Sequence, residues 1–485
     1  MAGLSPLNEH LLRRAGFGVG AADVARWSRL SYLALIDQLI NYDPAAADVD
    51  GKIGTPGYVG ITTHGQFSPN MVINDARQRW LFRLVHTPAP LQEKMALFWH
   101  QHFATAYSKV SSIVGTTDAT RMLAAKPSED PGQARGQLEL FRQYALGNFS
   151  DLLVEVAKDP AMLVWLDGRL NTRSVPQENF GRELMELFTF GVENYVETDV
   201  YAAARVFTGW NMTTTGTRGT ASAYYAFNYN AGAHETSAKT FSFPIYPDGG
   251  RTIPARSASN GLQDGLDLIQ ALAYHPETAK RLARKLWVWF VDEVNAPDDE
   301  FVTSIANTYL QSGTNMKAVI KAVLFSPQFF DTARYFKRYS WPAEFVARAL
   351  KEVGYVGFSV NDALTPMVNM GQQLFEPPDV AGWELGPGWF STARMLARMN
   401  FAAQLATNQK FALRDLARPY KLTPESLVNF VVDTLNVPQP AGDVYAALTS
   451  YVRAGGAWTG SEAQLLNKAG GLFHLVTGSG DYQFL

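Results

Sequence analysis

Pro176-Gln177-Glu178-Asn179-Phe180-Gly181-Arg182-Glu183-Leu184-Met185-Glu186 returns in altered form as Pro342-Ala343-Glu344-Phe345-Val346-Ala347-Arg348-Ala349-Leu350-Lys351-Glu352. Five of the eleven positions are identical: the proline, two glutamates, the arginine and the leucine. In each copy Glu, Arg and Glu stand four residues apart, which lines them along one face of a helix. Upstream, Asn148-Phe149-Ser150-Asp151-Leu152-Leu153 and Asp159-Pro160 match Asn315-Met316-Lys317-Ala318-Val319-Ile320 and Ser326-Pro327, at a nearly constant offset of 166 to 167 residues. The echo predicts two related helical units, each a helix stopped by proline, a link and a second helix.

Helical periodicity extends outward from these units. Residues 21–41 carry Val24, Trp27, Leu30, Leu33, Ile36 and Leu39 at three-residue steps and read as one amphipathic helix. Residues 71–86 form a helix that Thr87-Pro88-Ala89-Pro90 ends, and Leu91–Phe103 is the next. Residues 135–158, 178–190, 196–208, 262–274, 277–292, 299–312, 315–325, 342–353, 391–408, 424–435 and 441–453 are helical by the same criterion. Residues 51–70 are a Gly/Thr/Pro-rich loop, and 370–390 a Gly/Pro/Trp-rich excursion. The long interruption is 211–260, where Ala223–Phe227 and Lys239–Phe243 read as short strands or extended chain. The expected fold class is therefore mainly α: a large multi-helix domain with two related helical units and an irregular or β-containing excursion around 211–260.

Composition sets outer bounds. The 485 residues carry 42 Lys+Arg against 45 Asp+Glu, a net charge of −3, too few cations for a nucleic-acid binder. There is no cysteine, which excludes thiol enzymes, disulfide scaffolds and zinc–thiolate or iron–sulfur sites. Only 18% of residues are charged, against about 25% in an average chain, and 47% are hydrophobic, so the chain is not disordered. Such a profile suits either an exported protein with aromatic-lined grooves or a large, well-buried core. Met1-Ala2-Gly3-Leu4-Ser5-Pro6 is not a basic region followed by an apolar run, and the sequence has no stretch of 18 or more apolar residues, the length that would span a membrane. Length alone suggests several domains.

The chemistry-bearing residues cluster in Glu178–Gly191. On a helix Asn179, Arg182, Glu183 and Glu186 share one face, beside an apolar stripe of Phe180, Leu184, Leu187 and Phe188. Such a face is either catalytic or a solvated ladder of ion pairs. Residues present in both copies of the echo read more simply as scaffold. Asn179 and Glu183 become Phe345 and Ala349 in the second copy, so they are the stronger functional candidates, with Glu186 beside them. Asp167, where a helix gives way to a loop, is a candidate acid–base partner or else a turn aspartate. Asp199 reads as a helix cap.

In Trp99-His100-Gln101-His102-Phe103 the two histidines sit at i, i+2, about 200° apart on a helix. Either one is a candidate acid, base or substrate ligand. As metal ligands they would need a carboxylate such as Glu183 and a break in the helix, and no HExxH or comparable signature supports that arrangement. No metal or cofactor is expected. His234 and Lys239 lie in the long excursion, where loop polar residues commonly meet substrates. Trp99, Trp210 and Trp383 are candidate substrate contacts, the last two as stacking platforms beside loop glycines; Trp389 is similar. GxSxG, GxxxxGK[ST] and GxGxxG are all absent.

Together, several stretches resemble the large bacterial family catalogued as domain of unknown function 1800. They are His10–Gly18, Glu93–Met95 with Phe98-Trp99-His100 and His102-Phe103, Ala145–Phe149, Asp159–Met162, Glu178–Gly191, Asp199–Trp210, Arg284–Trp287 and Phe375–Trp383. The family usually has Asn-Glu-Asn where this chain has Gln177-Glu178-Asn179, and Asn before Pro-Pro where it has Glu376. Spread over nearly the whole chain, these family-like stretches imply one large helical domain over 1–485, with 211–260 inserted and 410–485 as a C-terminal helical segment. The resemblance brings no settled activity. Many members carry export signals, which implies an envelope or extracellular setting; the absence of a signal peptide in this sequence leaves a cytoplasmic setting as the alternative.

The leading expectation is an enzyme acting on a polysaccharide or related glycan, with Glu183 as general acid and Asp167 or Glu186 as base or nucleophile, and with His100 also catalytic. Asn179, Arg182, His102, Trp99, Trp210, His234, Lys239 and Trp383 would contact the substrate. Two alternatives are a metal-dependent hydrolase or oxidase using His100, His102 and a carboxylate, and a non-catalytic envelope scaffold or glycan-binding protein.

Overall fold

The computed structural model describes residues 4–45 and 47–485, so the first three residues of the N-terminal stretch lie outside it. Among the described residues the chain forms 24 α-helices and two small antiparallel sheets, a mainly α architecture. No helix is long and apolar enough to cross a membrane. One cluster of buried residues runs from Leu4 to Tyr482.

At the centre lie Ile73–His86, Pro90–His102 and Pro342–Val353, buried along most of their length. A helix covered on every side must also bury its charges, and each charge then needs a partner. Arg83 pairs with Asp50 (2.7 Å) and Glu139 (2.6 Å), Arg142 with Glu93 (2.7 Å), and Arg338 and Lys94 with Glu344.

The two helical units meet at their equivalent starting points. Asn148 and Asn315 form an antiparallel bridge, a locally two-fold arrangement. Phe149 N donates to Thr314 O and Met316 N to Gly147 O, both at 2.9 Å. From the bridge run Phe149–Lys158 and Met316–Leu324. Each is followed by a short helix with proline in its first turn, Pro160–Trp165 and Pro327–Phe330. The matched residues Asp159 and Ser326 cap these helices, accepting from Met162 N (2.9 Å) and Phe329 N (3.3 Å).

The Glu-Arg-Glu ladders keep one rung each. In the first copy Arg182 holds Glu178 (3.2 Å) while Glu186 turns to Tyr195. In the second Arg348 holds Glu352 (3.1 Å) while Glu344 turns to Arg338 and Lys94.

Two expected helices are divided. Residues 21–41 break into Ala21–Trp27 and Tyr32–Ile40, because Ser31 caps a new helix by accepting from Ala34 N (3.3 Å). Residues 135–158 break into Gln137–Gln143 and Phe149–Lys158, since Asn148 is drawn into the bridge. The excursion after residue 210 forms two hairpins: Trp210–Thr215 with Tyr224–Tyr229, and Lys239–Thr240 with Thr252–Ile253. The first docks through Trp210, whose ring lies so close to Gly265 that a Cβ there would stand 2.3 Å away.

Candidate active site

The helix Asn179–Glu183 does not continue as α. Leu184–Phe188 forms a π turn, with one extra residue between hydrogen-bonding partners. Thr189 Oγ1 donates to Leu184 O (2.6 Å), and Gly191 N, at φ +89°, closes the end on Met185 O (3.0 Å). Leu184, Met185 and Phe188 point into the core, and Gly181 packs so closely on Ala203 that a Cβ would stand 2.8 Å from it. The apolar residues thus fix the turn from below. Asn179 is exposed, and Arg182, Glu183 and Glu186 are partly exposed. π turns within helices occur frequently at functional sites.

Polar residues from three segments meet along this edge. Asn179 Nδ2 donates to Asp167 Oδ2 (3.1 Å), which Lys109 Nζ also approaches at 3.3 Å. Lys109 Nζ donates to Trp165 O (2.5 Å) and lies 5.3 Å from the centre of the partly exposed Trp165 ring. Asp167 has φ +60°, a left-handed conformation that costs a non-glycine residue energy and recurs at functional sites. Arg182 is held by Glu178 and by Glu197 (2.6 Å). Glu186 Oε2 accepts from Tyr195 OH (2.5 Å). Glu183 has no hydrogen-bond or ion-pair partner among the described residues. Burial, and then the charge of Glu186, raise its carboxyl above the usual carboxylate range.

Beneath the π turn, Lys285 Nζ lies 2.8 Å from His102 Nδ1 and 3.4 Å from Leu187 O. His102 Nε2 faces Phe188 O at 3.0 Å, so the proton belongs on Nε2 and Nδ1 is the acceptor. Burial, reinforced by Lys285, keeps this imidazole neutral. Burial and the nearby Arg281 bring the Lys285 ammonium down to about 7.

Residues 10–484 match the family described as "Protein of unknown function (DUF1800)". The chain belongs to this family. No curated protein and no solved structure matches it. The DUF1800 stretch Arg284–Trp287 supplies Lys285, while Phe375–Trp383 closes over the end of Pro90–His102. There Gln101 Oε1 accepts from Trp383 N (2.8 Å), and Gln101 Nε2 donates to Trp383 O (2.9 Å).

The same closure places His100 away from the edge in this DUF1800 chain. His100 is buried and its Nε2 accepts from Phe375 N (3.2 Å). Burial takes its imidazole down to about 3, which suits a fixed acceptor rather than an acid or base. His100 and His102 face different partners, and among the described residues no three His, Asp or Glu side chains gather as a metal site would require. The two-His-one-carboxylate arrangement is therefore not formed. Trp99, Trp210, Trp383 and Trp389 are core residues with no ring face for a ligand.

His234 and Lys239 are not loop contacts either. Both are buried on Asp264: Lys239 Nζ at 2.6 Å and His234 Nε2 at 3.3 Å. With Arg256 they pin the hairpins to the helix Leu262–Ala273. Asp199 caps as expected, accepting from Val196 N (2.9 Å), and also holds Ser242 N (2.7 Å).

Sequence reading missed Lys109, Trp165, Tyr195, Arg281 and Lys285. Trp165 stands two residues from Asp167, and that proximity was the available signal.

Proposed function

We propose that the chain cleaves a glycan by acid–base chemistry, in an envelope or extracellular setting, with Glu183 as the general acid. One observation carries the reading. Glu178, Glu186, Glu197 and Asp167 each have a hydrogen-bonding or cationic partner, whereas Glu183 has none and has a raised proton affinity. A carboxyl whose proton affinity is raised can protonate a leaving oxygen. Glu186, one turn away, or Asp167, held by Lys109 and Asn179, supplies the second carboxylate. Trp165 offers the ring on which a sugar can stack. The edge is open, which suits an extended polymer lying across it.

A screen of polysaccharides for new reducing ends tests the reading. Cleavage of at least one glycan by the wild type is expected, with a loss of about 10²–10⁴-fold in Glu183→Gln and unchanged folding. Full activity in Glu183→Gln, or no cleavage of any glycan, contradicts it. Stereochemistry at the anomeric centre then assigns the second carboxylate, because retention requires carboxyl groups about 5–5.5 Å apart and inversion about 6.5–9.5 Å.

A further inference from the structure

We propose that Lys285 is a nucleophilic amine that captures a small carboxylate-bearing aldehyde or ketone as an imine, with Arg281 receiving the carboxylate. The geometry beneath the π turn carries this inference, and it stands whether or not Glu183 acts on a glycan.

A neutral amine has two hydrogens and one lone pair. Two acceptors face Lys285 Nζ: His102 Nδ1 at 2.8 Å and Leu187 O at 3.4 Å. His102 Nδ1 is an acceptor because Nε2–H is committed to Phe188 O. With both hydrogens engaged, the lone pair is directed away from these acceptors. Lys285 is a partly exposed residue at the end of its helix.

The charged groups around it support the same state. Arg281, one turn back on the helix Pro276–Leu286, disfavours a second positive charge. His102, from Pro90–His102, contributes no negative charge, and Glu186 on the π turn acts on Arg281. Lysines activated in this way, desolvated and beside another cation, form Schiff bases with carbonyl compounds.

Arg281 supplies the selectivity. Among the described residues it makes no ion pair, and its Nε is buried without a partner. An unpaired guanidinium fork close to a nucleophilic amine matches a carboxylate on the same small molecule. In the reaction, the Nζ lone pair forms the C–N bond as the carbonyl π bond shifts to oxygen. That oxygen then leaves as one water with the two Nζ protons, and C=N forms. No oxidant or reductant is consumed.

The test uses the intact chain with glyoxylate, which carries an aldehyde and a carboxylate, and propanal, which carries only the aldehyde. Cyanoborohydride traps the imine, and peptide mass mapping reads each lysine. An ordinary exposed lysine is a free amine at pH 7 in only roughly one molecule per thousand. Glyoxylate is expected to modify Lys285 at least tenfold faster than the exposed Lys52 and Lys421 at pH 7. Between pH 7 and 10 the rate at Lys285 levels off while the others keep climbing. Glyoxylate outpaces propanal at Lys285, and Arg281→Gln removes that preference. Modification of Lys285 no faster than of Lys52 and Lys421 overturns the proposal, as does equal reactivity of the two aldehydes in the wild type.

Discussion

Glu183 and Asp159 are both carboxyls raised by burial, and their surroundings separate their roles. Glu183 reaches the surface and has no partner, whereas Asp159 is a buried helix cap, brought up to about 7 mainly by desolvation. In both, the folded state holds the proton more tightly than the unfolded chain. Their stabilising contribution is thus complete below the unfolded value and is lost as pH rises through the folded one. For Asp159 that window ends near pH 7, so its own contribution to stability should be lost between pH 5.5 and 8.5. Asp159→Asn keeps a capping side chain and does not titrate, so from pH 5.5 to 8.5 it should gain about 1–2 kcal/mol relative to the wild type. Thermal unfolding at both pH values measures this, and a variant parallel to the wild type would refute it. For Glu183 the consequence is kinetic: kcat/KM on a cleaved glycan should decline on the alkaline side as the acid loses its proton.

Glu183 and Asn179 stand out in the sequence as candidates because the second copy of the echo lacks them. Lys285 was not legible. Its partner His102 is 183 residues away, and Leu187 O faces it only because the backbone turns as π. The buried tryptophans misled for a related reason: glycine neighbours look alike whether a ring faces solvent or the core.

At the level of elements, the π turn joins the two proposed sites. It keeps Glu186 on Tyr195 above and Leu187 O on Lys285 below. Thr189→Val removes the hydroxyl that satisfies Leu184 O. A loss of about 1–2 kcal/mol in stability is expected, with a slower reaction of Lys285 with glyoxylate; unchanged stability and reactivity would show that the hydroxyl does not hold the turn. Strong apolar periodicity located most helices, and Pro342–Val353 has the boundaries expected. Breaks were harder to read. Ser31 looks like any polar residue on a helix until it caps, and Asn148 leaves its helix only because Asn315 is there to meet it.

Across the whole molecule, the low charge content has a physical meaning. Much of the charge is internal, on central helices with no solvent-facing side, and most of it is paired, whereas Arg14 and Arg398 are buried with no ion-pair partner among the described residues. Lys94, Arg338 and Glu344 form one fully buried paired group. Glu344→Gln leaves two buried cations short of an anion and should cost about 3–5 kcal/mol, measured by denaturant unfolding. A loss under about 1 kcal/mol would mean that the cations find other partners. The family stretches fit this picture: several of them, such as His10–Gly18, pack in the core rather than on the edge.

The central claim is that Glu183 donates the proton to the departing sugar oxygen, and a change of leaving group tests it most directly. A glycoside whose aryl leaving group departs without protonation should be cleaved by Glu183→Gln at close to the wild-type rate, while the natural glycan is cleaved about 10²–10⁴-fold more slowly. Equal losses on both substrates, or no loss on either, would contradict the account.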